Sequence, residues 1–464
     1  MGKNEQQEFK KSLRPVDVWG LALGAIIGWG CFVLPGNSFL PKAGPGGMAL
    51  GMLAGGLLIL VISISYGYLI RRFPVSGGEF IYAKTAFGKT HAFICGWFLV
   101  LAYWSLVPLN GTALALISRY LFPGIIQVGK LYEVAGWDVY LGEVAVASFF
   151  LILLALLNIR GVKSAGWTQT TIALGLVSTI LLLTALILIG GVEWGNINPL
   201  FQKGQPWHSS VLAIVAMAPW AFIGFDCIPQ AAEEYSFSHH KSRNLMISAI
   251  AVAAVLYICV NTITAVGLKP WQELLNEKPF WATGLVIEER LGKIGLVILG
   301  VSMFCAVISG INAFFISTSR LMYAMAQEHA LPKMFGRLHH KFATPVSAII
   351  FVLILALVAP WFGREVLGWI VDMTSVGGAI GFLYTCASAV ILSYKQKEYS
   401  YTIAGVIGTI ISLGFLLLLL IPGSPGFLYK QAFFCLGIWV LLGIVFYIVI
   451  YPKYIKKSNY ERIN

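Results

Sequence analysis

The sequence predicts an all-α integral membrane protein of about 12 transmembrane helices, built as a 5+5 inverted repeat with discontinuous helices 1 and 6 plus two extra C-terminal helices. Three observations carry that prediction. A chain of 464 residues that is 58% hydrophobic and 11% charged cannot cover a water-facing surface with polar groups. Its apolar stretches run to about 20 residues, the length that crosses a bilayer as a helix. Two of those stretches, the first and the sixth, are interrupted by glycine and proline at matched places.

The spans fall at 17–39, 45–70, 91–120, 140–159, 167–190, 209–233, 245–268, 295–327, 345–361, 366–393, 401–421 and 431–454. No stretch between them is long enough for a soluble domain. The chain therefore divides into a cytoplasmic tail, 1–16, and one transmembrane domain, 17–464. Repeat one is 17–190, repeat two is 209–393, and the appended helices are 401–454.

The net charge of +12 belongs to topology and not to nucleic acid. With the N-terminus in the cytoplasm, 22 of the 32 Lys and Arg fall in inner segments and none near the centre of a span. That asymmetry places both termini inside, in a multi-pass protein of the cell membrane. All seven cysteines lie in apolar spans, where they read as small hydrophobes and not as a disulfide framework. The seven histidines lie in loops or at span ends, so no metal site and no buried histidine relay is expected.

In chain order, Pro15 and Asp17 open the first helix, the acid suiting the positive end of its dipole. The run Gly24-Ala-Ile-Ile-Gly28-Trp29-Gly30 through Gly36 then weakens it at membrane depth. Opened backbone in hydrocarbon is tolerated where it lines a cavity or meets a ligand, while glycine also serves simple close packing. After the second span, residues 71–88 carry a proline turn and a paired-glycine turn, with the look of a short helix on the cytoplasmic face.

The sixth span repeats the interruption, with Pro219 and Pro229 bracketing Gly224-Phe225-Asp226. Five spans separate the two broken segments, so the second half enters from the opposite side. Two such segments in inverted halves point to a transporter binding site. A membrane enzyme is disfavoured: the spans hold no histidines for a metal centre, and Gly224-Phe-Asp226 lacks the first glycine of an intramembrane aspartyl protease motif. A channel would need polar rings, and only isolated polar groups occur.

These segments resemble the signature of the amino acid–polyamine–organocation (APC) superfamily. The resemblance rests on Gly24 to Gly36, on Phe73-Pro-Val-Ser-Gly-Gly78 through Phe87-Gly88, on Asn158-Ile-Arg-Gly-Val-Lys163, and on Phe222-Ile-Gly-Phe-Asp226 with Ala232-Glu-Glu234. It covers nearly the whole chain and looks closest to the cationic amino acid transporter branch and its bacterial relatives. It implies a secondary active amino acid transporter, a permease or exchanger working by alternating access, with a polyamine or other organic amine transporter as the alternative.

Under that reading the amides of Gly28, Trp29 and Gly30 face a substrate carboxylate and the carbonyls of Ile26 and Ile27 face its ammonium. The resemblance adds the carbonyls of Trp220, Ala221 and Ile223 to the ammonium site. Trp220, Phe222 and a residue of the third or eighth span would shape the side-chain pocket, unless the two aromatics are core packing. Asp226 is costly at mid-membrane depth, and three roles compete for it: partner of a polar neighbour, gate or proton-coupling group, or counter-ion of a cationic substrate. Asp372 suits a gating or interfacial place, and Glu233 and Glu234 suit pairing with inner basic residues.

No cofactor is implied, and the coupling ion, proton or sodium, stays open. Some members of the superfamily use a lysine in the fifth span. Counting from Asn158 puts that position at Gly175 or Leu176, and 167–190 contains no lysine. Ser309, Asn312 and Ser317 to Ser319 could supply oxygen ligands to an ion, or bond back to their own helix. The outer loop 121–140 lacks the cysteine through which animal relatives join a glycoprotein, so no disulfide-linked heavy chain is expected.

Overall fold

The computed structural model describes residues 9, 11–122, 124–134, 137–279, 281–362 and 366–461. Nearly everything in it is helix, because a backbone in hydrocarbon must satisfy its hydrogen bonds within its own segment. The first half comprises α1 (Pro15–Ile26), α2 (Gly30–Leu34), α3 (Leu40–Arg72), α4 (Gly78–Phe87), α5 (Lys89–Leu121), α6 (Leu141–Arg160) and α7 (Val162–Ile189). The second half comprises α8 (Trp207–Val215), α9 (Ala218–Ala221), α10 (Cys227–Gln230), α11 (Ser242–Val266), α12 (Trp271–Asn276), α13 (Ala282–Gln327), α14 (Val346–Ala356) and α15 (Val366–Lys395). Two more helices follow, α16 (Tyr399–Leu420) and α17 (Lys430–Glu461).

Among the described residues nine helices are long and apolar enough to cross a membrane. The first two spans run on as one apolar stretch, Pro15–Arg72, while the sixth is interrupted and the ninth, Val346–Phe362, is short. That accounts for the twelve spans expected from composition. The joint between the first two is local: Gly44 has φ +68°, and a Cβ there would lie 2.8 Å from the Leu200 carbonyl oxygen. Pro45 follows, and the Gly46 amide donates to that same carbonyl at 2.7 Å. In α13, Gly292 with φ +68° likewise separates the first turns from the spanning part.

Packing follows the repeat. α3 packs on α8 as α11 packs on α1, and α7 packs on α1 as α15 packs on α9. Each half thus clasps the broken helix of the other, which places both interruptions at the centre of the bundle. The core runs through Leu23, Phe32, Tyr66, Tyr103, Phe225 and Phe314, all 1% exposed or less. α17 instead shows Phe434, Leu441, Leu442 and Ile448 on its outside, the pattern of a helix with one face toward lipid.

Two features depart from the sequence expectation. The loop 121–140, expected on the outer side, contains a hairpin, β1 (Lys130–Val134) against β2 (Trp137–Tyr140), antiparallel and held by a Lys130–Asp138 ion pair at 2.7 Å. In addition, α4 turns one side into the bundle. It packs against α5, α13 and α15 with Gly78, Glu79, Phe80, Tyr82 and Ala83 buried. Glu79 explains the burial, since its carboxyl finds hydroxyl and amide partners only inside the bundle.

Candidate functional site

α1 begins where Asp17 accepts hydrogen bonds from the Arg14 amide at 3.0 Å and its guanidinium Nε at 2.9 Å. Thr170 of α7 donates a third bond to Asp17 at 2.8 Å. The helix ends at Ile26 because Ile27 leaves helical geometry, with φ −87° and ψ 84°. The Gly28 amide turns back to the Ile26 carbonyl at 3.2 Å, and helix resumes at Gly30. The opening stretch is therefore broken at residues 27–29.

The sixth span breaks over Phe222–Asp226, between α9 and α10. Gly224 has φ +128°, and a Cβ on it would lie 2.7 Å from both the Ala25 Cβ and the Ile26 amide nitrogen. Only glycine allows the two interruptions to touch. Gly30 is held as closely: its Cβ would lie 2.3 Å from the Trp220 ring.

Between the interruptions lies a cavity of about 20 Å³, lined by Ala25, Ile26, Gly28, Trp29, Gly30, Leu106, Asn110, Trp220, Ile223, Tyr257 and Phe314. That volume holds about one water. No acidic or basic side chain lines it. Trp29 and Trp220 meet edge to face, centroids 6.3 Å apart at 61°. Trp29 also borders a second cavity of about 1130 Å³ that reaches the end of the bundle carrying Lys42, Gln205 and Tyr429. Asp372 lines this vestibule and accepts the Tyr429 amide at 2.9 Å.

Three polar atoms around the small cavity are buried without a hydrogen-bond partner: Trp29 Nε1, Trp220 Nε1 and Asn110 Oδ1. A buried, unpaired polar atom costs about 1–3 kcal/mol, so such atoms mark where a ligand or water is to be received. Asn110 Oδ1 lies 3.0 Å from where a Gly28 Cβ would be. The Ile26 carbonyl already accepts the Tyr257 hydroxyl at 3.3 Å.

Of the residues singled out in the sequence, Ile26, Gly28, Trp29, Gly30, Trp220 and Ile223 come together around this cavity; Ile27, Ala221 and Phe222 do not line it. Phe222 points toward Gly56 of α3. Asp226 also faces away, its Oδ1 accepting the Gly224 amide at 2.7 Å and its Oδ2 the Tyr103 hydroxyl at 2.9 Å. Leu106, Asn110, Tyr257 and Phe314 were not singled out. Asn110, a lone amide in an apolar span, carried a usable signal, whereas a phenylalanine among 29 carries none.

The fifth span contacts α1 and α13 at Gln169, not at Gly175, where a Cβ would have nothing within 4 Å. Gln169 donates to Ser309 and accepts from Asn312 at 3.2 Å, and Asn158 donates to Asn312 at 2.8 Å. Thr318 and Ser319 bond back to the Phe314 and Ile316 carbonyls at 2.6 and 3.0 Å. The end opposite the vestibule is sealed. Arg320, fully buried, pairs with Glu234 at 2.9 Å. The amides of Ser12 and Leu13 donate to the Glu234 carbonyl at 2.9 and 3.0 Å.

Comparison with known proteins agrees with this architecture. A family model described as "Amino acid permease" matches residues 13–446. The methylthioribose transporter of Bacillus subtilis (strain 168) is 26% identical over 85% of this chain and 84% of its own length. The branched-chain amino acid permease BcaP of Lactococcus lactis subsp. cremoris (strain MG1363) is 26% identical over 96% and 95%. The vacuolar cationic amino acid transporter 2 of Arabidopsis thaliana is 24% identical over 86% of this chain and 62% of its own length. Family and relatives are membrane transporters and not enzymes; the chain belongs to the amino acid permease family, within the APC superfamily.

Proposed function

We propose that this protein is a secondary active transporter of neutral amino acids, working by alternating access, with the substrate held at the broken backbone of the first and sixth spans. One observation carries the reading: a cavity between Gly28–Gly30 and Trp220–Ile223 whose walls hold no charged side chain. A zwitterion brings its own two charges. The amides at Trp29 and Gly30 suit its carboxylate, joined by that of Gly28 once it leaves the Ile26 carbonyl, and Asn110 Oδ1 with the nearby carbonyls suits its ammonium. Asp226 faces away from the cavity, which leaves a cationic side chain without a counter-ion there.

The cavity's small volume means that the substrate side chain seats only as Trp29 and Trp220 move. In alternating access the vestibule then closes over the substrate while the Arg320–Glu234 end opens. Both termini would lie in the cytoplasm, with the vestibule outward, as the distribution of Lys and Arg requires.

Counterflow by purified protein in proteoliposomes tests the reading, with leucine, alanine, arginine, putrescine and methylthioribose as substrates. Neutral amino acids are expected to exchange and stabilise the protein thermally by mass action. Stabilisation by putrescine alone would remove the carboxylate from the site, and by methylthioribose alone would remove the amino acid.

A further inference from the structure

Glu79 and Asp226 are both completely buried, and they meet at one hydroxyl. Tyr103 Oη lies 2.9 Å from Asp226 Oδ2 and 3.1 Å from Glu79 Oε1. A phenol carries one hydrogen, so it serves one of these carboxyls and leaves the other contact needing a hydrogen from elsewhere.

The distances show which acid supplies it, since the Tyr103 hydroxyl lies nearer Asp226 than Glu79. Asp226 is satisfied as an anion, one oxygen taking the Gly224 amide at 2.7 Å and the other the Tyr103 hydroxyl. Glu79 Oε2 takes the Gln230 amide at 2.5 Å, and its Oε1 takes the Tyr66 hydroxyl at 3.1 Å. The remaining contact, Glu79 Oε1 to Tyr103 Oη, is a good bond when Glu79 holds the proton and donates it. Gln230 Oε1, buried beside Glu79, has no partner, and it is the acceptor a protonated carboxyl would use once the amide turns over.

The other titratable groups facing the pair bring no positive charge. They are Tyr66 of α3, Tyr82 of α4, Cys95 of α5 and Cys227 beside Asp226; Cys386 of α15 faces Tyr66. Arg320 of α13 is engaged by Glu234. Two buried anions with no cation repel strongly, so one proton is the smallest ligand that makes the arrangement stable.

We infer that Glu79, Tyr103 and Asp226 form a one-proton site that holds α4 against the broken sixth span, and that releasing the proton favours opening of the end opposite the vestibule. The site joins the two halves, since Glu79 belongs to repeat one and Asp226 to the interruption in repeat two. Burial, then the charge of Asp226, pushes the Glu79 carboxyl well above its ordinary value. The folded protein therefore keeps a proton that the unfolded chain loses near the ordinary value of 4.5. Stability is full below that value and is lost as pH rises through the folded value.

The consequence for transport rests on the proposed function; the site itself does not. Infrared spectra of the purified wild-type protein are expected to show a protonated-carboxyl band near pH 6 that fades toward pH 9. Glu79→Gln should lack it. Absence of the band at pH 6 in wild type overturns the proposal without any variant. In proteoliposomes, amino acid counterflow should change by about threefold or more between pH 6 and 8 in wild type and become nearly flat in Glu79→Gln. An unchanged pH profile in a folded Glu79→Gln removes the link to gating. If no substrate exchanges at any pH, the amino acid reading fails, and the infrared titration still decides the proton site.

Discussion

Gly224 takes a backbone conformation that L side chains avoid, and a Cβ added to it would collide with Ala25 and Ile26 at the end of α1. Gly224→Ala combines a left-handed penalty of about 1–2 kcal/mol with that collision. Transport should fall by at least about tenfold while the protein still reaches the membrane, because the damage is confined to one turn. Counterflow beside fluorescence-detected size exclusion reads both, and wild-type exchange would show that the two breaks need not touch. Asn110→Leu is a gentler probe. It removes an unpaired acceptor beside Gly28 and is expected to raise the substrate concentration for half-maximal thermal stabilisation by about tenfold, or 1.4 kcal/mol, with little loss of intrinsic stability.

At the scale of elements, the seal opposite the vestibule is a short strap. Ser12 and Leu13 lie along Glu234, the Leu13 carbonyl accepts the Ser236 amide at 3.0 Å, and Phe9 sits 5.5 Å from the buried Arg320 guanidinium. Breaking one partner of a buried ion pair costs about 3–5 kcal/mol, since the survivor keeps its desolvation. Glu234→Ala should lower the melting temperature clearly and raise solvent access to a cysteine placed at Ala232, which is buried. A double variant, Glu234→Leu with Arg320→Met, should recover much of the stability but not the seal. Maleimide labelling and melting curves separate the two effects. α4 shows what sequence misses at this scale: its glycine turns announced a helix, and only its neighbours showed that Glu79 turns inward.

Across the whole molecule, the same contacts recur in both halves, α3 on α8 and α11 on α1. The vestibule is the large space, about 1130 Å³, and the inner cavity the small one, about 20 Å³. Substrate should therefore reduce labelling of cysteines at Ser38 and Ala213, which line the vestibule, and increase labelling at the buried Ala232 position. Equal labelling with and without substrate would argue against alternating access.

Composition and spacing alone determined the membrane class, the number of spans and the two interruptions, because hydrocarbon admits so few backbone solutions that glycine and proline at mid-depth stand out. Spacing also located Ile26, Gly28, Trp29 and Gly30, and the family resemblance added Trp220 and Ile223, six residues now found around one cavity. The cluster that Asp226 joins could not be read there: Tyr103, which bonds it, and Glu79 beyond that hydroxyl come from separate segments and look ordinary in each. Gln169 is similar, lying six or seven residues before Gly175 and Leu176, where counting along the span had looked. Which side chains share a space depends on how helices rotate and cross, and that is settled by packing between distant parts of the chain, which no local pattern records.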